Sequence, residues 1–125
     1  MAGRAAQAPA GDELLSKLAE VIEQRRQADP EQSYVAKLHA RGLDEMLKKL
    51  GEESAETIIA GKNEDSDALV SEMADLWFHS LVVLAARGRH PDDVLDELAR
   101  RFGLSGVAEK AARRASGQRS DKNDK

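Results

Sequence analysis

Two groups of acidic residues have the spacing that phosphate chemistry with a bound metal needs. The first contains Glu52, Glu53 and Glu56, and the second, separated from it by fifteen residues, contains Glu72 and Asp75. Carboxylates three residues apart lie on one face of a helix. A hard divalent cation such as Mg²⁺ prefers oxygen ligands and leaves positions for water and phosphate oxygens. Two such groups on facing helices therefore indicate a site for one or more Mg²⁺ ions.

The second acidic group lies on the apolar face of its predicted helix. At about 100° per residue, the face that carries Glu72 and Asp75 continues into Leu76, His79 and Val82. A buried charge is costly unless it has a partner. We therefore expect these two carboxylates to point inward, toward cations held between the helices.

A second interpretation of the same residues is an ordinary solvated helix surface. Lys48 and Glu52, like Lys49 and Glu53, are four residues apart, and such pairs contribute only about 0.2–0.5 kcal/mol. His79 follows one turn after the acids and is either a hydrogen-bonded structural residue or a contact of the substrate. The chain has no cysteine, and its three histidines lack the spacing of a zinc site.

Composition limits the possible classes of protein. A chain of 125 residues with one Trp, one Tyr and two Phe must fill its core with aliphatic side chains, which suits packed helices. A net charge of −4 argues against nucleic-acid binding. We find no secretory signal and no run of the ~18–20 apolar residues that a membrane span requires. We therefore expect a cytoplasmic protein without a membrane or nucleic-acid partner.

Apolar periodicity and helix-capping residues predict an all-α fold, an antiparallel bundle of about four to five helices. Residues 1–11 are predicted to be a disordered leader, 12–115 the helical domain and 116–125 a disordered polar tail. Asp12, Asp44 and either Asp65 or Ser66 are the predicted caps of the longer helices. The predicted first helix begins at Asp12, continues for roughly four turns and is ended by the stretch 27–32. The other predicted helices span residues 33–41, 44–60, 66–88 and 91–102, and a weak one spans 104–115.

Three stretches carry a resemblance to a known family. They are SYVAKLHARGLDEMLKKLGEESAETIIAGKN (33–63), SEMADLWFHSLVVLAARG (71–88) and DDVLDELARRFGLSG (92–106). In these the chain resembles the phosphoribosyl-ATP pyrophosphohydrolases, of the all-α NTP pyrophosphohydrolase superfamily. The paired acids are common to that superfamily, whereas the longer match points to this family.

The resemblance implies hydrolysis of phosphoribosyl-ATP to phosphoribosyl-AMP and pyrophosphate, the second step of histidine biosynthesis. It implies Mg²⁺ as cofactor and a homodimer that completes the bundle. Residues 76–84, apolar nearly all round their helix, also favour packing partners on every side. The resemblance assigns metal binding to Glu53, Glu56, Glu72 and Asp75. It makes Glu52 a further ligand or the group that positions water. These five residues are the candidate catalytic set.

Candidate substrate contacts are less specific. Lys48, Lys49 and His79 lie near the acids and could contact phosphate, and on position alone Ser33, Lys37, His39 and Arg41 could contact the base and second ribose. Two alternatives remain at the level of sequence. One is a housekeeping relative that hydrolyses free nucleoside triphosphates, and the other is a non-catalytic helical dimerisation module.

Overall fold

A computed structural model describes residues 10–104, and these form five α-helices and no strand. The helices are α1 (Gly11–Arg25), α2 (Tyr34–Arg41), α3 (Leu43–Lys62), α4 (Ser66–Ala86) and α5 (Pro91–Arg101). The all-α prediction is confirmed. The described chain divides into two compact units, one ending at His90 and the other beginning at Pro91, so that α1 to α4 form one unit and α5 belongs to the other.

The helix N-termini test the predicted capping residues. Asp65 caps α4 as predicted, because its carboxylate accepts hydrogen bonds from the backbone N–H groups of Asp67 and Ala68, at 3.1 and 3.2 Å. The other two predicted caps, Asp12 and Asp44, are wrong, since both lie inside the first turn of their helices. There their negative charges still favour the helix N-terminus electrostatically.

The boundary between α2 and α3 depends on a glycine. Gly42 has a φ of 99°, a conformation that side chains disfavour, and its N–H donates to the carbonyl oxygens of Leu38 and His39 at 3.1 and 3.2 Å. This residue follows the last residue of α2, Arg41, which is the predicted end of that helix, and α3 begins at once with Leu43. The third helix then continues to Lys62, two residues beyond the predicted end at residue 60.

The predicted start of the helical domain, residue 12, lies one residue after the observed start. Gly11, assigned to the leader, is the first residue of α1. Residues 1–9 of the leader, the predicted helix at 104–115 beyond its first residue, and the tail at 116–125 lie outside the described residues.

Buried aliphatic side chains from four helices form the core of the first unit. This cluster consists of Ile22 from α1, Val35 and Leu38 from α2, Met46 from α3, and Leu81 and Val82 from α4. Val82 is fully buried, as its position on the predicted inward face requires. The core therefore anchors the second half of α4 and leaves its first half to face α3.

The two longest helices form a hairpin. Three residues, 63–65, join α3 to α4, and these helices of 20 and 21 residues pack along each other. A connection this short makes neighbouring helices antiparallel. The acidic groups in the second half of α3 and the first half of α4 are thereby brought opposite each other.

One expectation about α4 needs correction. Among the described helices, α4 has the length and apolarity that could cross a membrane, with a mean hydropathy of 1.4. The expectation that no segment reaches this threshold is wrong by that criterion. Length and composition give only weak evidence here, because the core helix of a globular protein meets the same threshold.

Candidate active site

Three carboxylates from the α3–α4 hairpin meet at one point. Glu53, Glu56 and Glu72 each place one carboxylate oxygen so that these atoms all lie within 4.8 Å of one another. Glu53 is buried, Glu72 is half-buried and Glu56 is exposed, so the group lies at the edge of the helix pair with one side open. The hairpin therefore joins the two acidic groups of the sequence into a single site.

Two oxygens of this cluster are buried without a hydrogen-bond partner in the described structure. They are Oε1 of Glu53 and Oε1 of Glu72. A buried carboxylate oxygen normally has a partner, because leaving it unpaired costs free energy. A cation bound between the two carboxylates would satisfy both atoms. The three glutamates thus fit a hard divalent ion in number, in donor type and in their unpaired oxygens.

The electrostatics of the cluster also favour a cation. Burial raises the pKa of Glu53 above its usual 4.5, and the negative charges of Glu56 and Asp75 raise it further. Burial likewise raises the pKa of Glu72, followed by a hydrogen bond to Glu56 and the charges around it. Without a cation these carboxylates repel one another, which is the usual property of a site prepared for a metal.

The other predicted acids lie at the periphery of the cluster. Asp75 is exposed, so the expectation that it points inward with Glu72 is wrong. Its charge still reaches the cluster, because it raises the pKa of both Glu53 and Glu72. Glu52 is also exposed, and its Oε1 lies 3.4 Å from Nζ of Lys49.

The two lysines differ in their surroundings. Lys49 is half-buried and pairs with Glu52, three residues on, rather than with Glu53 as its spacing of four suggested. The hydrogen bond to Glu52 is the main cause that raises the pKa of Lys49. Lys48 is exposed. Lys49 is therefore a permanent positive charge beside the acids.

His79 is a buried residue with both ring nitrogens engaged. Its Nδ1 lies 3.0 Å from the backbone carbonyl oxygen of Asp75, which can only accept, so Nδ1 carries a proton and donates it. Its Nε2 lies 3.0 Å from the hydroxyl oxygen of Tyr34, and in the neutral ring this nitrogen accepts the hydroxyl proton. The two hydrogen-bond partners of His79 are thus the backbone of Asp75 and the side chain of Tyr34 in α2. A role of His79 as a direct substrate contact stays a prediction.

Of the four residues suggested for the base and second ribose, two serve local structure. Ser33 caps α2, its hydroxyl accepting from the N–H of Ala36 at 3.2 Å. His39 places Nδ1 3.0 Å from the carbonyl oxygen of Val35, and its Nε2 is buried without a partner in the described structure. Lys37 and Arg41 are exposed.

Comparison with known proteins identifies the family to which this site belongs. The sequence model of the phosphoribosyl-ATP pyrophosphohydrolases matches residues 15–102. The chain belongs to this family. A relative from Methylococcus capsulatus, called phosphoribosyl-ATP pyrophosphatase, is 56% identical over 102 residues, which cover 82% of this chain and 97% of the relative. The predicted family is confirmed. All the acids of the site lie within residues 15–102, the part of this chain that matches the family.

The sequence interpretation missed one residue of the site, Thr57. This buried residue lies one turn after Glu53, and its hydroxyl oxygen is 2.8 Å from the carbonyl oxygen of Glu53 and 3.3 Å from that of Glu72. It therefore links the backbones of two cluster residues on different helices. A signal was present, since Thr57 is the one threonine of the chain and lies inside a helix, where threonine is a poor helix former.

We expect Thr57→Val to weaken metal binding more than it weakens the fold. Valine has the same shape but no hydroxyl, so the link between α3 and α4 is lost while the packing is kept. Removing a group that holds metal ligands in place typically weakens metal affinity by about 10–100-fold. A single hydrogen bond, in contrast, contributes only about 1 kcal/mol to the free energy of unfolding. Calorimetric titration with Mg²⁺ and thermal unfolding in EDTA measure the two effects separately.

The matched control is Thr57→Ser, which keeps the hydroxyl and removes a methyl group. Its Mg²⁺ affinity should lie close to that of the unmodified chain. Equal affinities for the valine and serine variants would show that the hydroxyl does not position the carboxylates.

Proposed function

We propose that the chain is a Mg²⁺-dependent hydrolase that converts phosphoribosyl-ATP to phosphoribosyl-AMP and pyrophosphate in histidine biosynthesis. The observation that supports the proposal is the cluster of Glu53, Glu56 and Glu72, in which two buried oxygens are unpaired in the described structure. The cluster lies in a chain that belongs to the phosphoribosyl-ATP pyrophosphohydrolase family. The name of the 56% identical relative supports the substrate and the reaction. No nucleophilic side chain is required, since water is the second reactant.

Each acid has a distinct position in this proposal. Glu53, Glu56 and Glu72 would hold Mg²⁺ from two helices, and Asp75 would complete the ligand set from the exposed edge. A bound Mg²⁺ supplies charge neutralisation on the phosphate oxygens and the leaving pyrophosphate, and it lowers the pKa of a coordinated water. Thr57 holds the backbones of Glu53 and Glu72 in register.

Glu52 and Lys49 are proposed to act on the open side of the cluster. Glu52 is a further metal ligand or the group that positions the attacking water. Its ion pair with Lys49 at 3.4 Å restricts its carboxylate. Lys49, which keeps its positive charge, is suited to steady a phosphate of the substrate.

The deciding experiment is a substrate comparison. Purified protein is assayed for pyrophosphate release from phosphoribosyl-ATP and from a panel of nucleoside and deoxynucleoside triphosphates, with Mg²⁺ and with EDTA. We expect Mg²⁺-dependent turnover of phosphoribosyl-ATP. Turnover of the other triphosphates alone would instead assign a housekeeping role, and no turnover of any of them would favour a non-catalytic module.

We also propose that two copies form a homodimer through α3 and α4. Both helices expose large apolar side chains in the single chain: Ile58 and Ile59 on α3, Val70 and Trp77 on α4. Val70 is 68% exposed and Trp77 is 59% exposed, and their spacing of seven places them on one face. Exposed apolar groups of this kind usually mark an interaction surface. A biosynthetic role further supports a cytoplasmic enzyme without membrane or nucleic-acid partners.

Val70→Glu should convert the dimer to a monomer. The substitution places a charge within the proposed apolar interface, so association becomes unfavourable. Light scattering after size-exclusion chromatography measures the mass directly. Val94→Glu, at an exposed valine of α5, is the control and should leave the mass unchanged. A dimer that persists in the Val70 variant would exclude this face as the interface.

A further inference from the structure

A cleft opens beside Tyr34, between α1 and the beginning of α2. It has a volume of about 530 Å³, and its polar lining residues are Arg25, Gln32, Ser33 and Tyr34, with Phe78 among the apolar ones. Binding sites for small molecules typically measure about 300–1,000 Å³ and combine apolar walls with a few polar groups. The cleft therefore has the size and the lining of a ligand site.

Tyr34 gives this cleft a fixed aromatic surface. Its hydroxyl is hydrogen-bonded to His79 at 3.0 Å, and its ring stacks on Phe78 with centroids 6.3 Å apart and an angle of 26° between the planes. The ring of His79 meets it edge-on at 5.8 Å. Although it is held from two sides, Tyr34 remains 47% exposed. An exposed ring that is already immobile loses little entropy when a flat ligand stacks on it.

The same tyrosine is joined through His79 to the helix that carries Glu72 and Asp75. His79, which accepts its hydroxyl proton, donates through Nδ1 to the backbone carbonyl oxygen of Asp75 at 3.0 Å. Tyr34 therefore connects the cleft to the turn of α4 that carries Asp75, one of the proposed metal ligands.

We propose that this cleft receives the purine and the attached phosphoribosyl group of the substrate. The purine stacks on Tyr34, and the guanidinium of Arg25 pairs with the phosphate of the second ribose. The assignment rests on the proposed function, since that reaction supplies a ligand with a triphosphate at one end and a phosphoribosyl-purine at the other. In this arrangement Tyr34 lies between the site for the triphosphate and the site for the phosphoribosyl group. Its role is to bind the substrate.

The first test compares Tyr34→Leu with Tyr34→Phe. Leucine removes the aromatic face, whereas phenylalanine keeps it and removes only the hydrogen bond to His79. Base stacking on an aromatic side chain is typically a large enough effect to change affinity about tenfold or more. We expect the leucine variant to raise KM for phosphoribosyl-ATP about tenfold with a much smaller change in kcat, and the phenylalanine variant to keep KM near its original value.

A competitive inhibitor that lacks a base shows whether a rise in KM comes from lost stacking or from damage to the metal site. Inorganic tripolyphosphate is used as a competitive inhibitor with Mg²⁺, and its inhibition constant is measured for each variant. The constant should be unchanged in Tyr34→Leu, because tripolyphosphate contacts only the acidic cluster and its cation. A loss of tripolyphosphate affinity equal to the loss for phosphoribosyl-ATP would overturn the assignment.

The second test concerns Arg25. Arg25→Gln should raise KM for phosphoribosyl-ATP and leave the inhibition constant of ATP, which lacks the second ribose phosphate, unchanged. Arg26→Gln is the matched control, since Arg26 pairs with Glu23 at 3.3 Å and does not line the cleft. Equal effects of the two substitutions would contradict the proposed contact.

The outcomes distinguish this inference from the function on which it rests. If the unmodified protein does not hydrolyse phosphoribosyl-ATP, the proposed function fails. If it does so while Tyr34→Leu and Arg25→Gln leave KM unchanged, only the assignment of the cleft is wrong.

Discussion

Glu53→Gln should lower kcat/KM for phosphoribosyl-ATP by at least about a thousandfold while the chain still folds. Glu53 is the most buried carboxylate of the cluster, and one of its oxygens has no partner in the described structure. Glutamine keeps the shape and one carbonyl oxygen but removes the charge that binds the cation. Metal-assisted catalysis contributes several kcal/mol to transition-state stabilisation, and about 1.36 kcal/mol corresponds to tenfold in rate.

The same substitution should stabilise the protein when no metal is present. At neutral pH the charged Glu53 side chain is desolvated and lies near the negative charges of Glu56 and Asp75, which is why its pKa is raised. A neutral amide removes that repulsion. Thermal unfolding in EDTA should therefore show an unchanged or higher Tm for the variant, and addition of Mg²⁺ should raise its Tm less than that of the unmodified chain.

The control for this prediction is Glu64→Gln, which removes one negative charge from an exposed position after α3. It should leave both activity and the response to Mg²⁺ unchanged. Retention of activity in Glu53→Gln, together with a Tm independent of Mg²⁺ in the unmodified chain, would favour the solvated-surface interpretation of these acids.

The sequence predicted the hairpin that builds the site because the relevant signals are local. A short polar connection with a capping aspartate, Asp65, makes α3 and α4 antiparallel neighbours. The spacing of Glu53, Glu56 and Glu72 then brings three carboxylates together, as the structure has it. Glu53 and Glu72 take buried and half-buried positions for the same reason, since they border the apolar faces of their helices.

Contacts between residues distant along the chain were not predictable in the same way. Asp75 was expected to point inward because it shares a helix face with Glu72, yet a difference of 60° around the helix, at about 100° per residue, is enough to expose it. Tyr34 is 45 residues from His79, and no periodic pattern connects them. The sequence does not single out Tyr34, because its hydrogen bond to His79 depends on how α2 packs against α4.

Mg²⁺ should stabilise the protein strongly at neutral pH and weakly at about pH 5. The pKa values of Glu53 and Glu72 are both raised above 4.5 in the folded state. Between 4.5 and the raised values, the folded state therefore holds more protons than the unfolded state. By linkage, the contribution of these two groups to the free energy of unfolding is fully present below 4.5 and is lost as pH rises through their folded pKa values.

Metal binding reverses this dependence, because the ion requires the deprotonated carboxylates. At a free Mg²⁺ concentration of 100 times Kd, a ligand that binds only the folded state adds about 2.7 kcal/mol, which corresponds to a Tm increase of about 10 °C for a domain of this size. The increase should be largest near pH 7 to 8 and should diminish toward pH 5. NaCl at matched ionic strength is the control for general screening.

The variant Glu53→Gln makes the measurement specific to the cluster. It should reduce the decline of stability with pH in EDTA, to which Glu72 still contributes, and remove most of the Mg²⁺ effect, since the Glu53 carboxylate takes part in both. Glu97 does not interfere, because hydrogen bonds from Arg100 and Arg101 lower its pKa to about 2. Its stabilising contribution is lost only as pH falls from 4.5 toward 2, below the range of the experiment. A Mg²⁺ effect that is the same at pH 5 and pH 7 would place the bound ion away from Glu53 and Glu72.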